Sequence, residues 1–238
     1  MKKIAALVFA LALTASFVLS APAHAGAFPE KAVTIVCPYG AGGGTDLAMR
    51  IMAEYAGKHI GQSVVVVNKT GGAGSIGLIA ALDSRRDGYT LASATVDLIT
   101  LPMLGMVDNI NLEAFDLICT INGEPAAIIV KADSPWKTFQ DFVDDAKKRP
   151  GDISLANAGS GNIWHLSALG LEDATGADFN HVPYQDGASA ALTGLMGGHV
   201  DAAVCSVAEA AALRPLSGSV TTQVTPMSIG PAILAITV

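Results

Sequence analysis

Short apolar runs separated by glycines and polar turns mark the first hundred residues. Three of these runs are rich in β-branched or aromatic residues, which is typical of strands: Ala32–Pro38, Ser63–Val67 and Tyr89–Ala94. Between them, apolar positions at helical spacing predict one helix that begins at Thr45 or Asp46 and a shorter helix over Ser75–Leu82. Strands that alternate with helices in this way indicate an α/β fold with a mainly parallel sheet.

The same alternation returns in the second half of the chain. Strands are predicted at Phe115–Ile121, Ala126–Val130, Ile153–Ala156, His181–Tyr184 and Ala202–Val207. Helices are predicted after a Ser134-Pro135 start, over Ile163–Thr175 and over Ser189–Met196. The pattern therefore predicts two α/β units that are joined near residues 98–112.

The two ends of the chain depart from this pattern. A basic start, the apolar run Ile4–Leu13 and small residues near Ala25 predict a secretory signal peptide over residues 1–25, cleaved after Ala25. That run is shorter than the roughly 20 residues of a membrane span, so the mature chain is expected not to be embedded in a membrane. At the other end, Leu216–Val238 carries no charged residue. This tail is predicted to be either one or two buried strands or a stretch never selected as a folded end.

Charge and chemistry exclude several classes of protein. A formal net charge of −7 argues against a nucleic-acid partner. The cysteines show no CxxC pair and are expected to be small buried side chains: Cys37, Cys119 and Cys205. The four histidines beyond residue 25 show no metal-ligand spacing, so neither a metal nor a cofactor is expected: His59, His165, His181 and His199.

A glycine-rich loop, Gly40–Asp46, lies between the first predicted strand and the first predicted helix. Glycines let backbone N–H groups approach a ligand closely, and a helix N-terminus attracts anions such as carboxylates. Asp46 opposes direct contact with an anion, and is expected to cap the helix or to hold a water, hydroxyl or amine. The alternative interpretation is a tight turn with a capping Asp.

Three familiar motifs compete with this interpretation. A phosphate-binding P-loop requires a Lys after the glycines, and none is present. Gly72–Gly77 matches the GxGxxG dinucleotide pattern with Asp97 downstream, but four residues separate it from the preceding strand. The same segment resembles a nucleophile elbow, which leaves an exported hydrolase using Ser75 as an alternative, with Asp178 and His181 as candidate partners.

A second strand-to-helix loop, Asn157–Asn162, mirrors the first loop in the second unit. Two helix N-termini from two units could face each other across a cleft and hold one ligand between them. The alternative is again a turn, here with an Asn cap.

Taken in order, the motifs resemble the substrate-binding receptors of tripartite tricarboxylate transporters, also called the Bug family. In the first unit they are Phe28-Pro29-Glu30-Lys31, Pro38-Tyr39 with Gly42–Asp46, Val66–Lys69 with Gly71–Gly74, and Asp87–Thr90. In the second unit they are Asn157–Gly161 with His165, His181–Tyr184 and Gly197–Asp201. The resemblance extends from about Phe28 to Glu209, and the tail does not share it.

The resemblance implies a two-domain periplasmic binding protein, or Venus flytrap, that is not an enzyme. The domains are expected at residues 26–100 and 101–212, and residues 213–238 form an atypical tail that leaves the first domain incomplete. A monomer is expected in the periplasm, binding a small carboxylate for membrane transporter subunits or a sensor kinase. A truncated, non-functional remnant of such a receptor remains an alternative.

The resemblance also implies the residues that bind the ligand. They lie in the two glycine-rich loops and beside them: Tyr39, Gly42, Gly43, Gly44, Thr45, Asp46, Thr95, Gly159, Ser160, Gly161, Asn162 and Tyr184. Two positions depart from the family pattern. Asn162 stands where Ser or Thr is usual, and Gln185-Asp186 replaces a Lys-Gly or Asp-Gly pair.

Overall fold

Two five-stranded sheets, each with helices, form the structure, a computed structural model that describes residues 28–211, 220–227 and 232–237. The signal-peptide prediction falls outside these residues. The described residues from Lys31 onward belong to one compact unit. The first sheet, in spatial order, consists of β2 (Val64–Asn68), β1 (Val33–Cys37), β3 (Thr90–Ala94), β10 (Ala232–Thr237) and β4 (Asp116–Gly123). The second consists of β7 (Asn180–Pro183), β6 (Ser154–Asn157), β8 (Ala202–Ser206), β5 (Ala126–Lys131) and β9 (Val220–Met227).

Helices connect these strands. Within residues 28–206 the α-helices are α1 (Gly44–Ile60), α2 (Ser75–Leu82), α3 (Asp97–Met103), α4 (Phe139–Lys148), α5 (Ile163–Thr175) and α6 (Ala188–Met196). The first of them ends at Gly61, which adopts the left-handed conformation (φ 70°) that favours glycine after a helix. Among the described residues, no helix is long and apolar enough to cross a membrane.

Parallel pairing places both glycine-rich loops at the carboxyl ends of strands. In the first sheet β1 pairs in parallel with both β2 and β3, and in the second sheet β6 pairs in parallel with β7 and β8. The first loop follows β1 and the second follows β6. In open α/β sheets, ligands bind beyond the carboxyl ends of the strands.

The uncharged tail contributes one strand to each sheet. β9 pairs antiparallel with β5, whereas β10 pairs antiparallel with β3 and β4. The predicted ranges 101–212 and 213–238 thus both supply strands to the first sheet. The division into residues 26–100, 101–212 and 213–238 stays a prediction.

Local details differ from the sequence-based expectations at several places. α1 begins at Gly44 after Gly43 and has no side-chain cap, so the expectation that Asp46 caps it is wrong. α4 begins at Phe139 and not after Ser134, because Thr138 and Asp141 form a reciprocal capping box at its start. α3 was not predicted, since Asp97–Met103 contains Pro102 and lies in the expected connection. The expectation that all three cysteines are buried is wrong for Cys119, which is exposed on β4 at the edge of its sheet.

Apolar packing is densest around the second sheet. Phe142 of α4 lies at its centre, edge-on to Trp136 and stacked on Phe179, with ring centroids 5.1 Å apart in both pairs. The first sheet packs through smaller groups around residues such as Ile35, Met49 and Leu78. These cores fix the strand ends from which the two loops project.

Candidate functional site

The first glycine-rich loop is held in place by the carboxylate of Asp46. This side chain is almost fully buried and accepts hydrogen bonds from the Gly42 N–H (2.9 Å), from Arg50 Nε (2.9 Å) and from Asn68 Nδ2 (2.8 Å). Burial acts to raise the pKa of Asp46, but these hydrogen bonds outweigh it and leave the pKa below its usual value. Asp46 therefore fixes the loop from behind as a carboxylate.

The N-terminus of α1 faces a buried carboxylate from the other half of the chain. The Gly44 N–H donates to Glu209 Oε1 over 2.8 Å, although 165 positions separate the two residues. The N–H of Thr45, the next residue, has no partner within the helix because it lies in the first turn. The Thr45 N–H is therefore available to donate a hydrogen bond to an anion.

A buried polar chain stands behind this loop. The hydroxyl of Tyr39 lies 3.1 Å from Thr95 Oγ1. The Thr95 hydroxyl in turn donates to Asp97 Oδ1 over 2.7 Å. Burial raises the pKa of Asp97, and burial together with the neighbouring carboxyl raises the pKa of Tyr39 well above its usual value. Tyr39 is consequently neutral, and its hydrogen-bonded ring forms part of the cavity lining.

The second loop leads directly into α5. The Gly159 N–H donates to Asn157 Oδ1, the Gly161 N–H donates to His165 Nδ1, and Asn162 Oδ1 accepts from the Trp164 N–H as the helix cap. These bonds occupy most donors of the loop. The N–H of Ile163, the first helical residue, has no partner within the helix.

A third helix N-terminus, that of α6, meets the first loop directly. The Gly40 N–H donates to the carbonyl of Asp186 over 2.9 Å. A side chain at Gly40 would place its Cβ 2.7 Å from Ser189 Oγ and 2.9 Å from that same carbonyl, so glycine is required for the approach. The two halves of the chain are thereby joined beside the first turn of α6.

These segments line a cavity whose empty space of about 500 Å³ includes open solvent. Its lining includes six of the twelve residues that the sequence indicated, namely Tyr39, Gly43, Gly44, Thr45, Thr95 and Asn162. The structure thus brings together residues from both predicted loops, and their contact with a ligand stays a prediction.

The other six predicted residues do not line the cavity. Gly42 and Asp46 bond to each other behind the loop, and Gly159, Ser160 and Gly161 form the turn before Asn162. The Tyr184 ring packs against Gly194 of α6, where an added Cβ would lie 2.6 Å from Tyr184 Cζ. As the chain is folded here, these residues shape the loops, and a ligand-binding role for them also stays a prediction.

Eight further residues line the cavity without being among those twelve, although Gly40 and Ala158 belong to the two predicted loops. They are Gly40, Asn122, Glu124, Ala158, Ile163, Trp164, Ala188 and Glu209. Glu209 is 6% exposed, and its Oε2 accepts from the Ser206 N–H over 2.9 Å. Burial raises the pKa of Glu209, and the hydrogen bonds from Ser206 and Gly44 only partly oppose this.

The competing motif Gly72–Gly77 has a structural role. Gly77 packs against the backbone, where a Cβ would lie 2.6 Å from Pro38 Cα and 2.7 Å from the Lys69 carbonyl. Asp97, the acidic residue downstream of this motif, is fully buried and accepts a hydrogen bond from the Thr95 N–H. Among the described residues, Ser75 has no hydrogen bond to a histidine. Within the same residues no cluster of three or more His, Cys, Asp or Glu side chains could hold a metal ion.

The arrangement of two α/β sheets with a cavity between their loops is that of periplasmic binding proteins. The solved structure of the periplasmic binding protein BugD is 28% identical with a TM-score of 0.78, and the match covers 88% of this chain and 77% of that one. MatC from Rhodopseudomonas palustris, solved with bound malate, shares the fold with a TM-score of 0.75 at 23% identity, covering 88% of this chain and 79% of that one. The predicted α/β binding-protein fold is confirmed.

The chain belongs to the family described as tripartite tricarboxylate transporter family receptor, whose sequence profile matches residues 48–219. A relative from Cupriavidus necator, named as the UPF0065 protein in the gbd 5' region, is 35% identical over 212 residues, which are 89% of this chain and 62% of that protein. The chain thus spans less than two thirds of that relative's length. Family membership confirms the resemblance, and the receptor family and its solute-binding neighbours point to a binding receptor and not to an enzyme.

Proposed function

We infer that this chain is a periplasmic receptor that binds a small carboxylate in the cavity between its two glycine-rich loops. The observation that carries this inference is the convergence of three helix N-termini, those of α1, α5 and α6, on one cavity. Their first-turn residues Thr45, Ile163 and Ala188 all belong to the lining. Each brings a backbone N–H without an intrahelical partner.

Backbone donors of this kind suit a carboxylate. A helix N-terminus carries about half a positive charge, and a hydrogen bond to a charged group contributes about 1.5–3 kcal/mol. Of the described residues that line the cavity, none is Lys, Arg or His. A bound carboxylate would therefore depend on backbone N–H groups, with an added hydrogen bond from the hydroxyl of Thr45.

Location and partners follow from the family. Receptors of this family are periplasmic, which agrees with the predicted signal peptide over residues 1–25. The proposed receptor delivers its ligand to membrane transporter subunits of the tripartite tricarboxylate type, or presents it to a sensor kinase. The malate in the MatC structure is a carboxylate, but at 23% identity that likeness shows the fold alone.

A panel of carboxylates tests this function. The purified chain without residues 1–25 is expected to unfold at a higher temperature with at least one small mono-, di- or tricarboxylate, because a ligand that binds only the folded state stabilises it. The matched control is the primary amide of the same acid, which keeps the shape and loses the charge. Equal shifts with acid and amide, or no shift from a cooperatively folded sample, would contradict the proposal.

A further inference from the structure

Gly161, in the second glycine-rich loop, is held from two sides. Its N–H donates to His165 Nδ1 of α5 over 3.1 Å, and its carbonyl accepts from Thr100 Oγ1 of α3 over 2.7 Å. Gly161 has a left-handed backbone (φ 80°), and an added Cβ would lie 2.5 Å from Leu104 Cδ1. The next residue, Asn162, caps α5 and lines the cavity. A movement of Gly161 would therefore displace the start of α5.

The hydrogen bond from Gly161 requires a neutral imidazole at His165. Because the Gly161 N–H is the donor, His165 Nδ1 must keep its lone pair, and the single proton of the neutral ring lies on Nε2. A second proton would occupy Nδ1 and point at the Gly161 N–H, so that two donors would face each other. His165 is also the third residue of α5, and the positive end of a helix dipole disfavours a cation in the first turn.

Two titratable groups surround His165. The ring of His181, on β7, stands edge-on to it with the centroids 5.2 Å apart. His181 Nε2 lies 3.0 Å from Glu172 Oε1, while His181 Nδ1 is buried and has no hydrogen-bond partner among the described residues. Burial lowers the pKa of His165 and the neighbouring His181 lowers it further, whereas Glu172 acts in the opposite direction. The ring of His165 is therefore neutral near neutral pH and gains its second proton in acidic solution.

We propose that His165 is a positioning residue for ligand binding: its neutral ring holds the second loop in place, and protonation of the ring releases the loop and weakens carboxylate binding. The proposal rests on the carboxylate receptor function above and adds a pH dependence to it. Once Gly161 loses its acceptor, Asn162 and the Ile163 N–H move with it, and both residues line the cavity. The bond from Thr100 transmits the same movement to the first half of the chain.

Nuclear magnetic resonance of the unliganded chain without residues 1–25 tests the first step. During a pH titration from about 8 to about 5, the range in which histidine gains its charge, the amide signal of Gly161 is expected to shift with the same midpoint as the ring signals of His165. In the variant His165→Asn the Gly161 signal should no longer follow this midpoint, because asparagine Oδ1 accepts the hydrogen bond without titrating. A Gly161 signal that stays constant while His165 titrates would overturn the proposal.

Calorimetric titration tests the consequence for binding. The probe is whichever of malate, succinate and citrate gives the largest thermal shift, measured at about pH 7.5 and about pH 5 with the parent and with His165→Asn. One linked proton changes affinity by at most about tenfold per pH unit, so the parent is expected to weaken roughly 3- to 10-fold relative to the variant. This ratio cancels the protonation of the acid and of Glu209, which both proteins share.

A second variant isolates the acceptor. His165→Ala and His165→Asn both lose the ring contact with His181, but only alanine lacks an acceptor, so near neutral pH it should bind roughly 3- to 10-fold more weakly than the asparagine variant. The matched control His59→Asn, at an exposed position of α1, should keep the affinity and the pH profile of the parent. Equal binding by the two His165 variants, or an unchanged pH profile in His165→Asn, would refute the proposal while the receptor stands. If none of the three acids binds, the receptor function fails, and the Gly161 signal still decides whether His165 holds the loop.

Discussion

Replacing Phe142 by Ala is expected to lower the free energy of unfolding by about 3–5 kcal/mol, the usual loss for a buried aromatic side chain. Phe142 is 2% exposed and contacts two other aromatic rings, so the neighbours cannot close over the space it leaves. Since a domain is typically stable by about 5–15 kcal/mol, this variant would lose a large share of its stability. Urea denaturation followed by circular dichroism measures the loss.

Two further variants make the Phe142 result interpretable. Phe142→Leu keeps most of the volume and is expected to cost about 1.5 kcal/mol, which remains measurable if the Ala variant does not fold. Met103→Ala truncates a side chain that is 80% exposed, and should change stability by less than about 0.5 kcal/mol. Similar losses at Phe142 and Met103 would mean that α4 does not pack on the second sheet as described.

The variant Ile163→Pro is expected to weaken carboxylate binding roughly 10- to 100-fold, because it deletes one backbone N–H from the cavity. Proline is well tolerated at the first position of a helix, where the N–H has no intrahelical partner. The preceding residue, Asn162, has an extended backbone (φ −68°, ψ 160°), which is the conformation that a following proline favours. The helix should therefore remain intact.

The matched control for this variant is Ile163→Val. Valine and proline have side chains of similar size, and both lose apolar contacts that Ile163 makes in its buried position, but valine keeps the N–H. Titration calorimetry with the tightest carboxylate of the panel should therefore show a large loss for proline and at most a few-fold loss for valine. Equal affinities of the two variants would exclude the Ile163 N–H as a ligand donor.

Much of the fold could be predicted because its signals are local. The helix Ser75–Leu82 has the predicted bounds, and β1 lies within the predicted apolar run. The start of α4 was missed because Ser134-Pro135 and Thr138 are both acceptable helix starts. The reciprocal hydrogen bonds of Thr138 and Asp141 decide between them. α3 was missed because a proline such as Pro102, in its last turn, usually indicates that a helix is interrupted.

The site could be predicted only where it is built from contiguous residues. Both glycine-rich loops are visible in the sequence because a strand, glycines and a helix start follow one another. Glu209 reaches Gly44 across 165 positions, and Glu124 lies in a turn between two strands, so neither residue has a local signal. These two carboxyl groups share one cavity only once the fold has brought together the end of β4 and the segment after β8.

A crystal structure of the chain with the tightest carboxylate of the panel would show whether helix N-termini bind the ligand. The carboxylate oxygens are expected to lie within about 3.2 Å of backbone N–H groups at the starts of α1, α5 and α6, those of Thr45, Ile163 and Ala188. A ligand bound elsewhere, or one whose carboxylate is held by Lys or Arg side chains, would contradict this expectation.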